Sequence, residues 1–251
     1  MTLRAGALCL LATLVSAAHA DLMLTGYSTA GPLSTQERIW IREGLLRRDF
    51  IDRGRAYSHV FDLARQRLAL IDHGARQVEL HSLTSLQNEA GAGTPSGHIK
   101  LKLTPTGTTR PLRHWTCEAH QLTASLPTRL GNEAATFHLT GTVWIARHPP
   151  EQAAVKKWVE MSQKKDFFLG VPAAVKATPA QARMLSDLVR ELAPRGLPCG
   201  GELDARHEGT GPLAALAGRI PARLTLTLHD FSDAPLSPDL FEVPSAYTVR
   251  R

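Results

Sequence analysis

The sequence lacks the short motifs that mark most metal and cofactor proteins. It contains no HExxH, no CxxC and no CxxCH, so the patterns of metalloproteases, paired-cysteine zinc sites and c-type haem attachment are missing. Only three cysteines occur in 251 residues, too few for a disulfide-dense miniprotein. We therefore expect no bound metal and no other cofactor.

Long hydrophobic runs are missing after residue 20, and nucleic-acid-binding motifs are missing throughout. No later stretch approaches eighteen consecutive apolar residues, so no transmembrane helix is expected there. The formal net charge is +6, but the basic residues are scattered apart from short pairs such as Arg47-Arg48. This scatter favours an ordinary solvated surface over an anion-binding one, and no nucleic-acid partner is expected. The composition, with 43% hydrophobic and 21% charged residues, is typical of a globular chain.

The first twenty residues have the pattern of a secretory signal peptide. Arg4 precedes an apolar run over 5–17, and Ala18-His19-Ala20 is an A-x-A cleavage pattern. We expect cleavage after Ala20, export to the periplasm and a single domain over 21–251. Because Arg4 is removed and no acidic residue is, the formal charge would fall from +6 to +5. A short buried helix is the alternative interpretation of this run.

Two cysteines would remain in the exported chain. Cleavage removes Cys9 and leaves Cys117 and Cys199, which are 82 positions apart. An oxidising compartment favours one disulfide between them, and two buried free thiols are the alternative.

Period-two alternation predicts strands of an antiparallel sheet. In 136–145, Phe137 and Leu139 share a face with other apolar residues, while Trp144 lies on the mainly polar face. One apolar and one polar face indicate antiparallel pairing, and helices inserted before the last strands give an α+β fold. Strands are predicted at 37–43, 45–50, 55–62, 66–72, 76–82, 98–103, 113–126, 136–145 and 223–229, a loop at 88–97, and helices at 150–166 and 179–193.

Three groups of residues were tested as catalytic or metal sites. Ser28 lies in Gly26-Tyr27-Ser28-Thr29-Ala30, which departs from the G-x-S-x-G nucleophile elbow and is followed by no helical pattern. His114 and His120 share one face of a regular strand and Cys117 the other, so they do not predict a metal site. The acids Asp230, Asp233 and Asp239 alternate with serine and proline, as turn residues do.

Several segments together resemble one exported bacterial family. Leu240-Phe241-Glu242-Val243-Pro244-Ser245-Ala246-Tyr247 resembles a closing L-F-x-V-P-x-G-Y motif, and Thr142-Val143-Trp144-Ile145-Ala146 resembles a T-V-W-I-A strand. The stretch 55–83 is similar to paired early strands, and Thr106-Gly107 before Trp115-Thr116-Cys117-Glu118 fits the next element. These segments, spread over 24–248, resemble the outer-membrane lipoprotein carrier (LolA-like) superfamily.

The resemblance implies a strongly curved antiparallel half-barrel with helices packing on its concave side. Relatives hold acyl chains in that apolar hollow or use the shape as a sensor or scaffold. We therefore expect a non-enzymatic protein that binds a lipid or lipoprotein acyl chain. The alternatives are a regulatory or interaction module with a self-filled core and an envelope-protein partner, and a cell-envelope hydrolase that depends on Ser28, His114 or His120. The expected ligand-binding residues are those whose alternation would point them inward, namely Ile99, Leu101, Leu103, Phe137, Leu139, Val143, Ile145, Leu224, Leu226 and Leu228.

Overall fold

The structure is a computed structural model, and it describes residues 21–30, 33–86, 99–147, 149–156, 159–160, 187–188, 190–219 and 222–250. The predicted signal peptide and the predicted loop over 88–97 lie outside these residues. So does much of both predicted helices.

The described strands form one twelve-stranded sheet, which confirms the predicted antiparallel architecture. The order is β12-β6-β5-β4-β3-β2-β1-β11-β10-β9-β8-β7, and only the β12–β6 pair is parallel. Because β7 and β12 end the sheet at opposite edges, it is not closed into a barrel. The strands are β1 (Leu22–Ala30), β2 (Leu33–Arg42), β3 (Leu45–Asp52), β4 (Arg55–Asp62), β5 (Arg67–Asp72), β6 (Gln77–Ser82), β7 (Lys100–Leu112), β8 (Trp115–Leu130), β9 (Glu133–Ala146), β10 (Leu197–Glu208), β11 (Ala222–Ser232) and β12 (Thr248–Arg250).

Tight hairpins build the first half of the sheet as the sequence predicts. The β2–β3 turn places Glu43 and Gly44 at φ 38° and 90°, and the β3–β4 turn places Arg53 and Gly54 at φ 49° and 77°. Positive φ at both central residues is typical of type I′ turns, whose twist matches that of paired strands. Glycine at the second position makes these turns accessible.

The strands β1, β10 and β12 lie outside the segments predicted as strands. Gly196 and Pro198 are typical of a helix end, and no strand is predicted between the helix over 179–193 and the strand over 223–229, yet β10 begins at Leu197. A bulge between Pro198 and Gly200 accommodates these residues in the sheet. The short helix α1 (Pro212–Gly218) was not predicted.

The helical segments are only partly described. Pro150–Val155 is a 3-10 helix inside the predicted 150–166 segment. Residues 190–192 are helical and run into a 3-10 helix at Ala193–Arg195, at the end of the predicted 179–193 segment.

Apolar side chains are buried on both faces of the sheet, in three clusters. Phe61 and Val60 are neighbours on β4 and belong to different clusters, and the same is true of Ala146 and Ile145 on β9. Neighbouring residues in a strand point to opposite faces of the sheet. The expectation of one polar face is therefore wrong. The disulfide core includes Leu22, Ile41, Phe61, Leu68, Trp115, Cys117, Ala146, Cys199 and Phe231. The cavity core includes Leu122, Leu126, Phe137, Leu139, Val143, Ile145 and Leu188. The C-terminal core includes Val60, Ala69, Ile71, Val78 and Phe241.

Candidate functional site

Most of the residues expected to bind a ligand come together on one face of the second half of the sheet. Eight of the ten belong to the cavity core: Ile99, Leu101, Leu103, Phe137, Leu139, Val143, Ile145 and Leu224. Leu226 lines the cavity described next, and Leu228 is buried two positions further along β11.

A cavity of about 190 Å³ lies between this face and the helical residues Leu188 and Leu192. Its strand wall consists of Val143, Ile145, Leu203, Leu224, Thr225 and Leu226, and the rest is lined by Gly196, Pro198, Gly200 and Gly201. Thr225 carries the one polar side chain among these lining residues. An apolar wall of this kind favours an apolar guest and offers almost no groups for chemistry.

The β10 bulge forms one side of the cavity. Pro198 pairs with Ile145 and Gly200 with Trp144, which leaves Cys199 as the extra residue. Gly200 has φ 147°, and a Cβ there would lie 2.6 Å from the Leu226 carbonyl oxygen. Glycine is therefore required at this position, because both the backbone conformation and the space exclude a side chain.

Cys117 and Cys199 form a disulfide, which confirms the predicted pairing. Both cysteines are buried in the disulfide core, on the face of β9 opposite the cavity. Trp144, expected on the polar face, packs against this core and lies 4.4 Å beneath the Arg110 guanidinium. Burial lowers the pKa of Arg110, and the charge of Glu202 partly opposes this effect.

Ser28 occupies a strand and is not arranged as a nucleophile. Its hydroxyl donates a hydrogen bond to Glu37 Oε1, and Arg48 Nε donates to Glu37 Oε2 at 2.8 Å. A serine that donates to a carboxylate engaged by arginine lacks the activating base of an acyl-transfer site.

The tested histidines and cysteine do not form a metal site. His114 lies in the turn before β8 and packs edge-on against Phe231 at 4.9 Å. His120 is buried in β8, and the Cys117 sulfur is bonded to Cys199, so it is not a free thiolate ligand. Within the described ranges, no group of three or more His, Cys, Asp or Glu side chains is placed to hold a metal ion.

The three aspartates near the C terminus have different environments. Asp230 lies inside β11 instead of the predicted turn, and Asp233 directly follows the end of that strand. Asp239 is the second residue of a 3-10 helix (Pro238–Phe241). Arg113 forms an ion pair with Asp230, and its hydrogen bond lowers the pKa of that carboxyl.

A hydrogen-bonded chain that the sequence did not predict ties the C-terminal segment to the sheet. The distances fit Tyr247 donating to His73 Nδ1 (3.1 Å), His73 Nε2 donating to Ser58 Oγ (2.6 Å) and Ser58 donating to Asp49 Oδ1 (2.6 Å). Arg47 Nε donates to the same carboxylate at 2.7 Å. Ser58 is fully buried, so this serine–histidine pair holds structure together and has no access to a substrate.

We expect His207 to make stability depend on pH. Partial burial against Phe137 lowers the pKa of His207 below its ordinary value of 6.5. The unfolded chain then binds a proton more readily, so His207 costs no stability well above pH 6.5. The cost grows as the pH falls from 6.5 toward the depressed folded pKa and stays constant below it. Urea unfolding of His207→Gln should show a smaller loss than wild type between about pH 7 and pH 5. His229→Gln at an exposed position is the control, and an unchanged pH slope in His207→Gln would contradict the expectation.

Part of the site could be read from the sequence and part could not. Leu188 and Leu192 recur at helical spacing, and the strand wall alternates with period two. No sequence pattern points to Arg110, because its role depends on the bulge in β10, three strands away from β7 in the sheet. Gly196 and Pro198, next to the bulge, have the pattern of a helix end, since glycine and proline mark turns more often than strands.

Among the described residues, no helix is both long and apolar enough to cross a membrane.

Comparison with known proteins adds no family assignment. No protein-family model matches the chain, and no curated protein sequence matches it.

Proposed function

We propose that this chain is a periplasmic, non-enzymatic binding protein that holds a lipid or lipoprotein acyl chain in the cavity beside β9, β10 and β11. The observation that carries the proposal is the convergence of alternating apolar residues from several strands on one small cavity. Its wall offers Thr225 as the sole polar side chain, so it suits hydrocarbon.

The size of the cavity favours a chain segment over a bulky ligand. At about 190 Å³, it is smaller than the roughly 300–1,000 Å³ of pockets that enclose drug-sized molecules. Each buried methylene contributes about 0.8 kcal/mol, so several methylenes give useful affinity without a charged contact.

The finer architecture and the compartment belong to the same proposal. We infer that the open sheet is a LolA-like half-barrel with helices on its concave side, exported and cleaved after Ala20. Packing of the helical residues Leu188 and Leu192 against the cavity core supports this arrangement. The Cys117–Cys199 disulfide is compatible with an oxidising compartment.

Filling the cavity should abolish acyl binding. Leu226→Trp adds an indole to the strand wall, and we expect at least about a tenfold loss of affinity for cis-parinaric acid, a fluorescent fatty acid, or about 1.4 kcal/mol. Delipidated wild-type protein should bind the probe saturably, as measured by fluorescence titration. Mass spectrometry of an organic extract from periplasmic protein would identify a native lipid.

Leu216→Trp is the matched control. Leu216 is 59% exposed on α1 and does not line the cavity, so this variant should bind like wild type. The absence of saturable binding to wild type, or equal binding by Leu226→Trp and wild type, would reject acyl binding in this cavity.

A regulatory or interaction module with a self-filled core is the second candidate. The disulfide core already takes Leu83 from the helical residues 83–86 and Ala154 from the 3-10 helix Pro150–Val155, so the face of the sheet opposite the cavity is packed by the chain itself. This candidate expects no bound lipid in the extract and a periplasmic protein partner recovered by crosslinking.

A further inference from the structure

We infer that the Cys117–Cys199 disulfide and Arg110 together hold the β10 bulge in register and thereby set the shape of the cavity on the opposite face of the sheet. This inference rests on the proposed function, because it assigns positioning residues to the same acyl site. The disulfide and Arg110 line no part of the cavity and would act through the backbone of β10.

The bulge supplies a large part of the cavity. Gly196, Pro198, Gly200 and Gly201 are lining residues, and Cys199 lies among them in sequence. The Cys199 side chain belongs to the disulfide core, whereas Val143 and Ile145 on the paired strand face the cavity core. One short stretch of backbone therefore has the disulfide on one face and the candidate ligand on the other.

Arg110 makes a second contact with the same stretch of β10 backbone, so the disulfide and this contact are two ties to the bulge. Its guanidinium donates to the Cys199 carbonyl oxygen at 3.2 Å and lies 4.4 Å from the Trp144 ring centroid. A Cβ on Gly200 would lie 2.7 Å from Arg110 Nη2, so the guanidinium packs directly on the bulge. Arg110 also pairs with Cys117 in the β7–β8 ladder, which places both ties at one level of the sheet.

Register explains why these ties matter for binding. A bulge inserts one extra residue, and a slip of one residue turns every following side chain to the other face. Without the ties, β10 could pair with β9 without the extra residue at Cys199. Leu203 would then turn away from the cavity and polar neighbours would take its place.

The test compares three variants with wild type in the mature chain. We expect Cys117→Ala/Cys199→Ala and Arg110→Ala each to weaken cis-parinaric acid binding by about tenfold, within the range for residues that act on a site through packed neighbours. Arg110→Lys keeps a donor for the Cys199 carbonyl and should bind more tightly than Arg110→Ala. Amide hydrogen exchange without ligand should speed up over 197–203 in both weakened variants.

Val78→Ala is the control for general destabilisation. Val78 is buried in the C-terminal core, so its truncation lowers stability without touching the bulge. At a temperature where all variants are folded, it should keep wild-type affinity and wild-type exchange over 197–203.

The outcomes separate this inference from the proposed function. If wild-type protein does not bind the probe, the acyl-binding function is wrong and the inference falls with it. If wild type binds and the disulfide and Arg110→Ala variants bind equally well, the function stands and the inference is overturned, whatever the exchange rates. Equal weakening by Val78→Ala would also overturn it.

Discussion

Replacing both Cys117 and Cys199 by alanine is expected to lower the free energy of unfolding by about 4 kcal/mol. The disulfide closes a loop with a sequence separation of 82, and a loop of this length restricts the unfolded chain strongly. Both sulfurs are fully buried in the disulfide core, so the variant also leaves a small void there. This loss is a large fraction of the total stability of an ordinary domain.

Urea unfolding of the oxidised protein and the double alanine variant would measure this difference. Wild-type protein unfolded and refolded in the presence of a phosphine reductant is the matched control, and its unfolding midpoint should fall close to that of the variant. A difference below about 1 kcal/mol would show that the loop is already restricted in the unfolded chain or that the bridge is strained.

The regular part of the fold was predictable because period-two alternation is a local signal. Val60 and Phe61 occupy opposite faces of β4, and Leu101, Leu139 and Leu224 converge on the cavity core as their alternation indicates. Gly44 and Gly54 fall in the gaps between the predicted strands 37–43, 45–50 and 55–62, and type I′ turns depend on only two adjacent residues.

The irregular part depends on contacts that sequence spacing does not reveal. The bulge at Cys199 shifts the pairing of β10 with β9 by one residue. The Pro-Cys-Gly-Gly stretch therefore pairs as part of a strand, although its composition is typical of a turn. Trp144 is expected on a polar face because Thr140 and Thr142 share that face of the strand, yet Arg110 covers it from β7. The Tyr247–His73 contact joins positions 174 apart and has no counterpart in any local pattern.

The candidate site also has one part that the sequence predicts and another part that it does not. Alternation identified the strand wall of the cavity, but not that the opposite face would be buried as well. The assignment of that wall to an acyl chain comes from the family resemblance, because an apolar face is equally suited to a packed core.

Arg48→Met is expected to destabilise the protein by about 3 kcal/mol, because it leaves a largely buried carboxylate without its cation. The side chains of Arg48 and Glu37 retain 15% and 8% of their exposure, and Arg48 Nε donates to Glu37 at 2.8 Å. Methionine keeps the contact that Arg48 makes with the Phe50 ring, 4.5 Å from its centroid. The stability lost in Arg48→Met therefore measures mainly the removal of the positive charge. Ser28 donates to the same carboxylate, but one neutral hydroxyl does not replace a guanidinium.

The double variant Glu37→Leu/Arg48→Met separates the charge from the packing. Removing both charges removes the desolvation cost as well, so we expect the double variant to recover at least about half of the stability lost in Arg48→Met. Denaturant unfolding of the two single variants and the double variant gives the coupling energy. Additive losses would contradict this account, because they would mean that Glu37 is adequately solvated without Arg48 and that the ion pair adds little to the stability of β2 and β3.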